Sequence, residues 1–463
     1  MQNLKSEFSD SDILAICHGV VYRAFGSMTF VRNVHAKKEF LFNRIVCDIF
    51  DAVKSHSTLA DVCRKISAIY DGASQDQIHA DTVAFLGEMI KVGLVEKIVG
   101  GGLSTQEPIE TIGDKIEDYC VREKRLFSAC LELTYRCNER CSHCYIDDEN
   151  NVLAAQELCY DDYRRICLEL EKMGCMHVLV TGGEPTLRPD FIDICKLVVD
   201  NGMLLDVYTN GLDVRMSTFK ELSGLGVNSV SVSLYGGSAA FHDSITHVPG
   251  SFERTLRTLM AFKCAGVEVF VKTVLLRGHI DEYVKLKEIC ESLKISVHAA
   301  TVLAPGQSGK SKDYLNPSES DLETYYSIEK AGRPLGQLRG VKNLTARDPD
   351  SLLCNAGHVS LSINPYGEVF PCNSYPCKLG DVKRETIEKI WQESEQLKKV
   401  RSFRFHDLAG CESCQYAGLC NICPGIAFEL NQGHIKPHES ACRSVRKRFE
   451  VEIGFNVSDV ARG

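Results

Sequence analysis

The chain has 463 residues, 44% of them hydrophobic and 25% charged, with a net charge of −9. That balance belongs to a globular chain too long for one hydrophobic core, and it excludes disordered, collagen-like and coiled-coil classes. The acidic charge argues against nucleic acid or an anionic membrane as partner, no apolar run approaches a membrane span, and MQNLKSEFSDSD lacks the apolar stretch of a secretory signal, so a cytoplasmic protein is expected.

Residues 1–100 read as one unit. The runs 19–26 and 28–34 are β-rich and meet at a Gly-Ser turn, a short hairpin. Three helical patterns follow: Phe42, Ile45, Val46, Ile49, Phe50 and Val53; then Leu59, Val62, Cys63, Ile66 and Ile69; then Val83, Leu86, Met89, Ile90 and Leu94. Each repeats with the period of one buried helix face. Ser57 is placed to cap the second helix and Gly93 to stop the third, giving a winged-helix-like module. Residues 101–127 read as a linker.

From 128 to 345 strands and helices alternate. Apolar, β-branched runs lie at 129–134, 177–181, 204–209, 228–234, 268–275 and 296–303, separated by amphipathic stretches such as 160–174 and 251–266. Six β/α repeats predict an α/β fold with a parallel sheet, open or curved as a partial (β/α)6 barrel, with its reactive groups at the carboxyl ends of the strands. The remainder, 346–463, is rich in glycine and cysteine, with short strands and one helix at 385–398, and looks held together by metal rather than by a large core.

The chain carries 22 cysteines. In a reducing compartment clustered cysteines signal metal or redox sites rather than disulfides. Eleven (Cys17, Cys47, Cys63, Cys120, Cys130, Cys159, Cys167, Cys175, Cys195, Cys264, Cys290) stand singly and nearly all read as small buried hydrophobes. The rest fall into two groups. After the first strand of the barrel comes Cys137-x3-Cys141-x2-Cys144. Three thiolates on one loop hold three irons of a cubane and leave the fourth open to a small molecule, whereas structural zinc takes four ligands.

This spacing resembles the radical SAM superfamily, with His143 at the aromatic position. The second strand ends in Thr181-Gly182-Gly183-Glu184-Pro185, similar to that family's GGEP motif. The resemblance implies that Gly182 and Gly183 let the backbone approach the methionyl amine of S-adenosylmethionine, and that Glu184 accepts its hydrogen bond. It puts the ends of strands three and four, with Asn210 and Ser233, against the ribose and adenosine. His242-Asp243 reads as loop capping and Lys272 as a solvated or salt-bridged strand residue.

The second group runs Cys354, Gly367, Cys372, Cys377, Cys411, Cys414, Cys420, Cys423 and Cys442. It resembles the seven-cysteine SPASM extension, departing from it by two residues instead of three between Cys420 and Cys423. On spacing alone two C-x2-C knuckles also fit a zinc ribbon. The resemblance implies two auxiliary [4Fe–4S] clusters, one on Cys354, Cys372 and Cys423, the other on Cys411, Cys414, Cys420 and Cys442. Cys377 is either a fourth ligand of the first or leaves that iron open. The amino-terminal module resembles the PqqD-like RiPP recognition element, which takes a leader peptide as an added strand.

Together these resemblances imply a radical SAM/SPASM peptide maturase, an oxidoreductase-type enzyme with S-adenosylmethionine and three [4Fe–4S] clusters. Its partners would be a ribosomally made precursor peptide held by its leader and a reductant such as flavodoxin or ferredoxin. The expected product is an intrapeptide cross-link, thioether slightly ahead of carbon–carbon. Two alternatives remain: a sulfatase-type formylglycine maturase and a non-catalytic iron–sulfur or zinc regulator.

Overall fold

The computed structural model describes residues 8–53, 57–70, 74–97, 112–146, 156–306, 311–331 and 347–453. It divides into two compact units, one of Met1–Arg125 with Gly202–Leu204, the other of Leu126–Asn201 with Leu205–Gly463.

In chain order the first unit holds β1 (Ile13–Ile16), β2 (Val20–Phe25), β3 (Met28–Asn33), β4 (Lys38–Asn43), α1 (Ile45–Val53), β5 (Ser57–Thr58), α2 (Leu59–Ile69), α3 (Gln75–Lys91), β6 (Val95–Lys97) and α4 (Ile112–Arg122). β2, β3 and β4 make one antiparallel sheet; β5, β1 and β6 make another. The helix faces close over a core containing Val46, Phe50, Val62, Leu86 and Leu94.

The expected hairpin and three helices are present, with four differences. Phe42 is not helical: residues 38–43 pair with β3, Phe42 opposite Thr29, and its ring stacks on Phe40 at 5.8 Å. Its three-residue spacing from Ile45 imitates a helix face across the strand end. Ser57 lies in β5 and its hydroxyl accepts from Lys65 Nζ, so the cap of α2 is Thr58, which accepts from Asp61 N. Leu94 follows α3 rather than ending it, because Gly93 at φ 73° stops the helix as expected. Residues 112–122 form α4 where a linker is expected; the rest of that linker through 111 lies outside the described residues.

The second unit begins with β7 (Ser128–Glu132) and alternates through α5 (Tyr160–Lys172), β8 (His177–Thr181), α6 (Phe191–Asp200), β9 (Leu204–Thr209), α7 (Met216–Gly224), β10 (Ser229–Ser233), α8 (Ala239–Thr246), α9 (Ser251–Cys264), β11 (Val269–Val274), α10 (Ile280–Ser292), β12 (Ser296–Ala300) and α11 (Glu319–Ala331). β7 to β12 lie side by side in sequence order, a curved parallel sheet forming a partial barrel. Along β7, β8 and β9 the residues that alternate toward the helices, such as Leu131, Val180 and Val207, are fully buried. Those facing the other way, such as Cys130, Leu179 and Tyr208, are half-buried around the lumen. α9 packs on β10 and β11, and α10 on β12.

The carboxyl-terminal part adds β13 (Ser360–Ile363), β14 (Glu368–Phe370), β15 (Gly380–Asp381), α12 (Ile387–Glu393), α13 (Glu395–Ser402), α14 (Pro424–Leu430) and α15 (Glu439–Ile453). β13 pairs in parallel with β7, and β14 and β15 follow, so one nine-stranded sheet runs from barrel into tail. This corrects the reading of a module held by metal alone: Leu361, Ile363, Val369, Ile387, Ile390 and Trp391 are all buried. An unpaired β7 edge would otherwise expose its backbone donors. The single helix expected at 385–398 is two, because Ser394 ends α12 and its side chain caps α13 by accepting from Leu397 N.

Of the eleven solitary cysteines, seven are buried; Cys17 and Cys130 are half-buried and Cys159 and Cys264 exposed. Among the described residues no helix is long and apolar enough to cross a membrane.

Ile363, opposite Leu131 across the β7–β13 ladder, tests the shared core. Ile363→Ala should cost about 2–5 kcal/mol. In urea denaturation the barrel and tail signals should fall together rather than the tail alone.

Candidate active site

The cysteine loop leaves β7 at the carboxyl end of the sheet. It is pinned to the end of α8, where Arg140 N donates to Thr246 O (3.0 Å) and Ser142 N to Ile245 O (3.1 Å). It borders a cavity of about 490 Å³ lined by Cys137, Cys141, Cys144, Gly182, Gly183, Asn210 and Ser233, seven of the eight residues expected at the cofactor site. Glu184 is not among the lining residues.

The reason lies in the strand ends. Gly183 N donates to Thr134 O (2.7 Å) and Glu184 N to Arg136 O (2.9 Å), so the β8 end zips onto the cysteine loop. A Cβ on Gly182 would overlap the Thr134 carbonyl, and one on Gly183 the Arg136 carbonyl. The glycines thus permit close approach to the loop itself. Glu184, fully buried, accepts from Thr186 N (3.1 Å), Thr186 Oγ1 (2.6 Å), Thr209 Oγ1 (2.9 Å) and Asn210 N (2.7 Å). Burial raises its pKa against the pull of these donors.

Asn210, placed by that contact, donates Nδ2 to Asn138 Oδ1 (2.7 Å) and lies 3.7 Å from Cys137 Sγ. On the far wall Tyr235 OH is 3.8 Å from Cys141 Sγ; its ring stacks on His242 and meets His143 edge-on at 4.5 Å. Tyr235 N donates to His242 Nδ1 (3.1 Å). Burial, helped by Lys312, pushes His143 down to about 4, so it is neutral at pH 7. Lys312 donates to the Cys144 carbonyl. Asp243 accepts from Gly250 N, Ser251 Oγ and Phe252 N, the loop capping expected of it. Among the described residues Lys272 has no carboxylate hydrogen bond; it is half-buried over the Tyr208 ring, 3.0 Å from His298 Nδ1.

Sequence reading missed Tyr208 and Lys312 in the lining, which also holds Tyr235. The SVSLYG strand end signals Tyr235, whereas Lys312 comes from a distant segment with no motif.

The donor sets fit iron–sulfur chemistry. Burial pushes Cys137 up to about 12 and Cys141 still higher, and both feel the charge of Cys144. Buried thiols of this kind become thiolates on binding a metal. In the tail, Cys354 feels Cys423, and Cys372, pushed up to about 12 chiefly by burial, feels Cys423 and Cys354. Cys411, pushed up to about 11, feels Cys420, Cys414 and Cys442. The electrostatics thus groups Cys354 with Cys372 and Cys423, and Cys411 with Cys414, Cys420 and Cys442. Cys377, raised by burial, feels Lys399. Among the described residues no three His, Cys, Asp or Glu side chains converge as ligands of one metal ion; a cubane's thiolates bond separate irons.

Residues 131–288 match the family model of the radical SAM superfamily, 354–415 that of the SPASM iron–sulfur cluster-binding domain, and 33–95 that of coenzyme PQQ synthesis protein D. The first of these matches falls on the partial barrel and the three-cysteine loop, so the chain carries a radical SAM domain. With the other two it has the domain set of a radical SAM/SPASM peptide maturase. Among curated proteins it is 26% identical to an AdoMet-dependent heme synthase of Methanosarcina barkeri, over 66% of this chain and 93% of that protein. It is 22% identical to the antilisterial bacteriocin subtilosin biosynthesis protein AlbA of Bacillus subtilis, over 85% of this chain and 86% of that one. Streptococcus suis SuiB, solved bound to precursor peptide SuiA, shares the fold at TM-score 0.60 and 15% identity, covering 93% of this chain and all of that one.

Two measurements probe the site. Gly183→Ala should push the β8 end off the cysteine loop and weaken S-adenosylmethionine binding at least about tenfold, read by equilibrium dialysis. Glu132, at the carboxyl end of β7, is buried and accepts from Tyr145 OH (2.5 Å) and Tyr135 OH (3.1 Å). Burial pushes it up to about 7 from 4.5, with the two tyrosines pulling the other way. The folded chain therefore holds a proton that the unfolded chain releases, and stability should fall as pH climbs from about 4.5 to about 7. Glu132→Gln should flatten that slope in urea titrations at pH 5 and 7.5.

Proposed function

We propose that the protein is a leader-dependent radical SAM maturase that cross-links a ribosomally made precursor peptide. The observation that carries this reading is the presence in one chain of the PqqD match, the Cys137/Cys141/Cys144 loop and the two tail thiol sets. The subtilosin relative and SuiB support a peptide substrate.

Cys137, Cys141 and Cys144 would hold a [4Fe–4S] cluster, which when bound would supply the one-electron chemistry that cleaves S-adenosylmethionine to a hydrogen-abstracting radical. The chain's own part is placement. Gly182 and Gly183 bring the β8 end against the loop, Asn210 and Ser233 line the space for the nucleoside, and Glu184 fixes the β9 end, and with it Asn210, by accepting from Thr209 Oγ1 and Asn210 N. Glu184 thus positions this end of the sheet, beside the role the resemblance implies for it as acceptor of the methionyl amine.

Two auxiliary [4Fe–4S] clusters, on Cys354, Cys372 and Cys423 and on Cys411, Cys414, Cys420 and Cys442, would receive the electron left when the substrate bond forms. Were Cys377 not a ligand of the first set, one auxiliary iron would be open to a substrate thiolate, which would favour a thioether. Residues 1–100 would hold the leader, 101–127 lead into the barrel, 128–345 form the radical SAM core and 346–463 the auxiliary domain. Flavodoxin or ferredoxin in the cytoplasm would supply the first electron. Leader tethering raises the core peptide's effective concentration at the cavity.

A second reading, a tetrapyrrole-modifying enzyme, is favoured by the heme synthase relative. Both are tested together. Deleting 1–100 should abolish modification of a peptide encoded beside the gene, read by mass spectrometry, while uncoupled S-adenosylmethionine cleavage continues. Full modification by the truncated enzyme, or turnover of a tetrapyrrole with no change in any peptide, would overturn the proposal. Anaerobically reconstituted protein should hold about 12 irons, from three cubanes, and negligible zinc; about four irons with one or two zincs would make the tail a zinc module.

A further inference from the structure

Arg347 is a half-buried guanidinium with its hydrogen bonds spent on neutral acceptors. Nη1 donates to the Cys420 carbonyl (2.9 Å), Nη2 to the Leu352 carbonyl and Nε to Ser351 Oγ (3.0 Å), while the group lies over the Phe405 ring at 5.2 Å. It therefore bridges the chain just before Cys354 to the backbone of Cys420. Those two cysteines belong to different thiol sets, and among the described residues no carboxylate pairs with Arg347. The charges it feels are those of Cys420 and Cys354, and burial lowers its pKa.

A guanidinium stays protonated in proteins, and a charge taken out of water needs a counter-charge nearby. The two neighbours that can provide one are thiols, neutral until a metal takes their protons. A [4Fe–4S] cluster with its thiolates is a net anion and becomes more negative on reduction, so a fixed cation beside it favours the reduced form.

We propose that Arg347 is the shared counter-charge of the two auxiliary iron–sulfur centres, raising the reduction potential of both. This rests on the auxiliary-cluster reading above. It makes Arg347 an electrostatic tuner rather than a catalytic residue: it sets how readily the tail accepts an electron without touching the substrate. Lysine would keep the charge and lose the planar fork; glutamine would lose the charge.

The test uses the full-length, anaerobically reconstituted enzyme as wild type, Arg347→Lys and Arg347→Gln, with iron counts and redox titrations followed by electron paramagnetic resonance. Both auxiliary signals should shift to more negative potential in R347Q and much less in R347K, with the S-adenosylmethionine-binding cluster unmoved. If R347Q fails to hold auxiliary iron while R347K holds it at near wild-type potential, the counter-charge role stands. Equal loss of iron from both variants would show that the hydrogen-bonding fork matters instead, and would overturn the proposal. So would a shift confined to one centre, or full iron in R347Q with unmoved potentials. Wild-type protein with about four irons would overturn the auxiliary-cluster reading itself; about 12 irons with unmoved potentials in R347Q would sink this inference alone.

Discussion

The site depends on one buried carboxylate. Glu184 takes four hydrogen bonds from Thr186, Thr209 and Asn210, and its own backbone amide donates to the cysteine loop. It ties the ends of β8 and β9 and the Cys137–Cys144 loop into one piece. The donors offset the desolvation that a buried carboxylate suffers, and each would be left unpaired in a dry interior if the carboxylate were removed. The radical chemistry proposed here needs a substrate held still beside a reactive fragment. A loop fastened at strand ends provides that better than one fastened by exposed side chains.

Much of this was legible in the sequence because the motifs are local. Three cysteines on one loop, two glycines with a glutamate and six β-branched runs each carry their meaning within a few residues. The structure brings seven of eight expected cofactor-site residues to one cavity. What escaped was non-local. Lys312 reaches the Cys144 carbonyl from far along the chain, with no motif around it. Glu184 was recognised but its protein donors were not, since a motif says which residue is needed and not which neighbours hold it.

The errors of fold share a cause. Periodicity counted Phe42 into a helix because a strand end and a helix start abut there, and it counted 385–398 as one helix because Ser394 interrupts the backbone without breaking the pattern. The cysteine-rich tail looked coreless because its strands are short. Their apolar faces are buried in a sheet that begins far earlier in the chain, a pairing of large sequence separation that no window of residues reveals.

That continuous sheet also fixes a length. β13 lies one ladder spacing, about 4.8 Å, from β7, and the strand pair leads on one side to the loop of Cys137 and on the other to Cys372. Ligands borne on one hydrogen-bonded framework keep their separation as the molecule fluctuates, unlike ligands on two domains joined by a hinge. Electron tunnelling weakens steeply with distance. If the two loops carry clusters as proposed above, the gap between them would be a dimension of the sheet, with no need to be re-formed in each catalytic cycle.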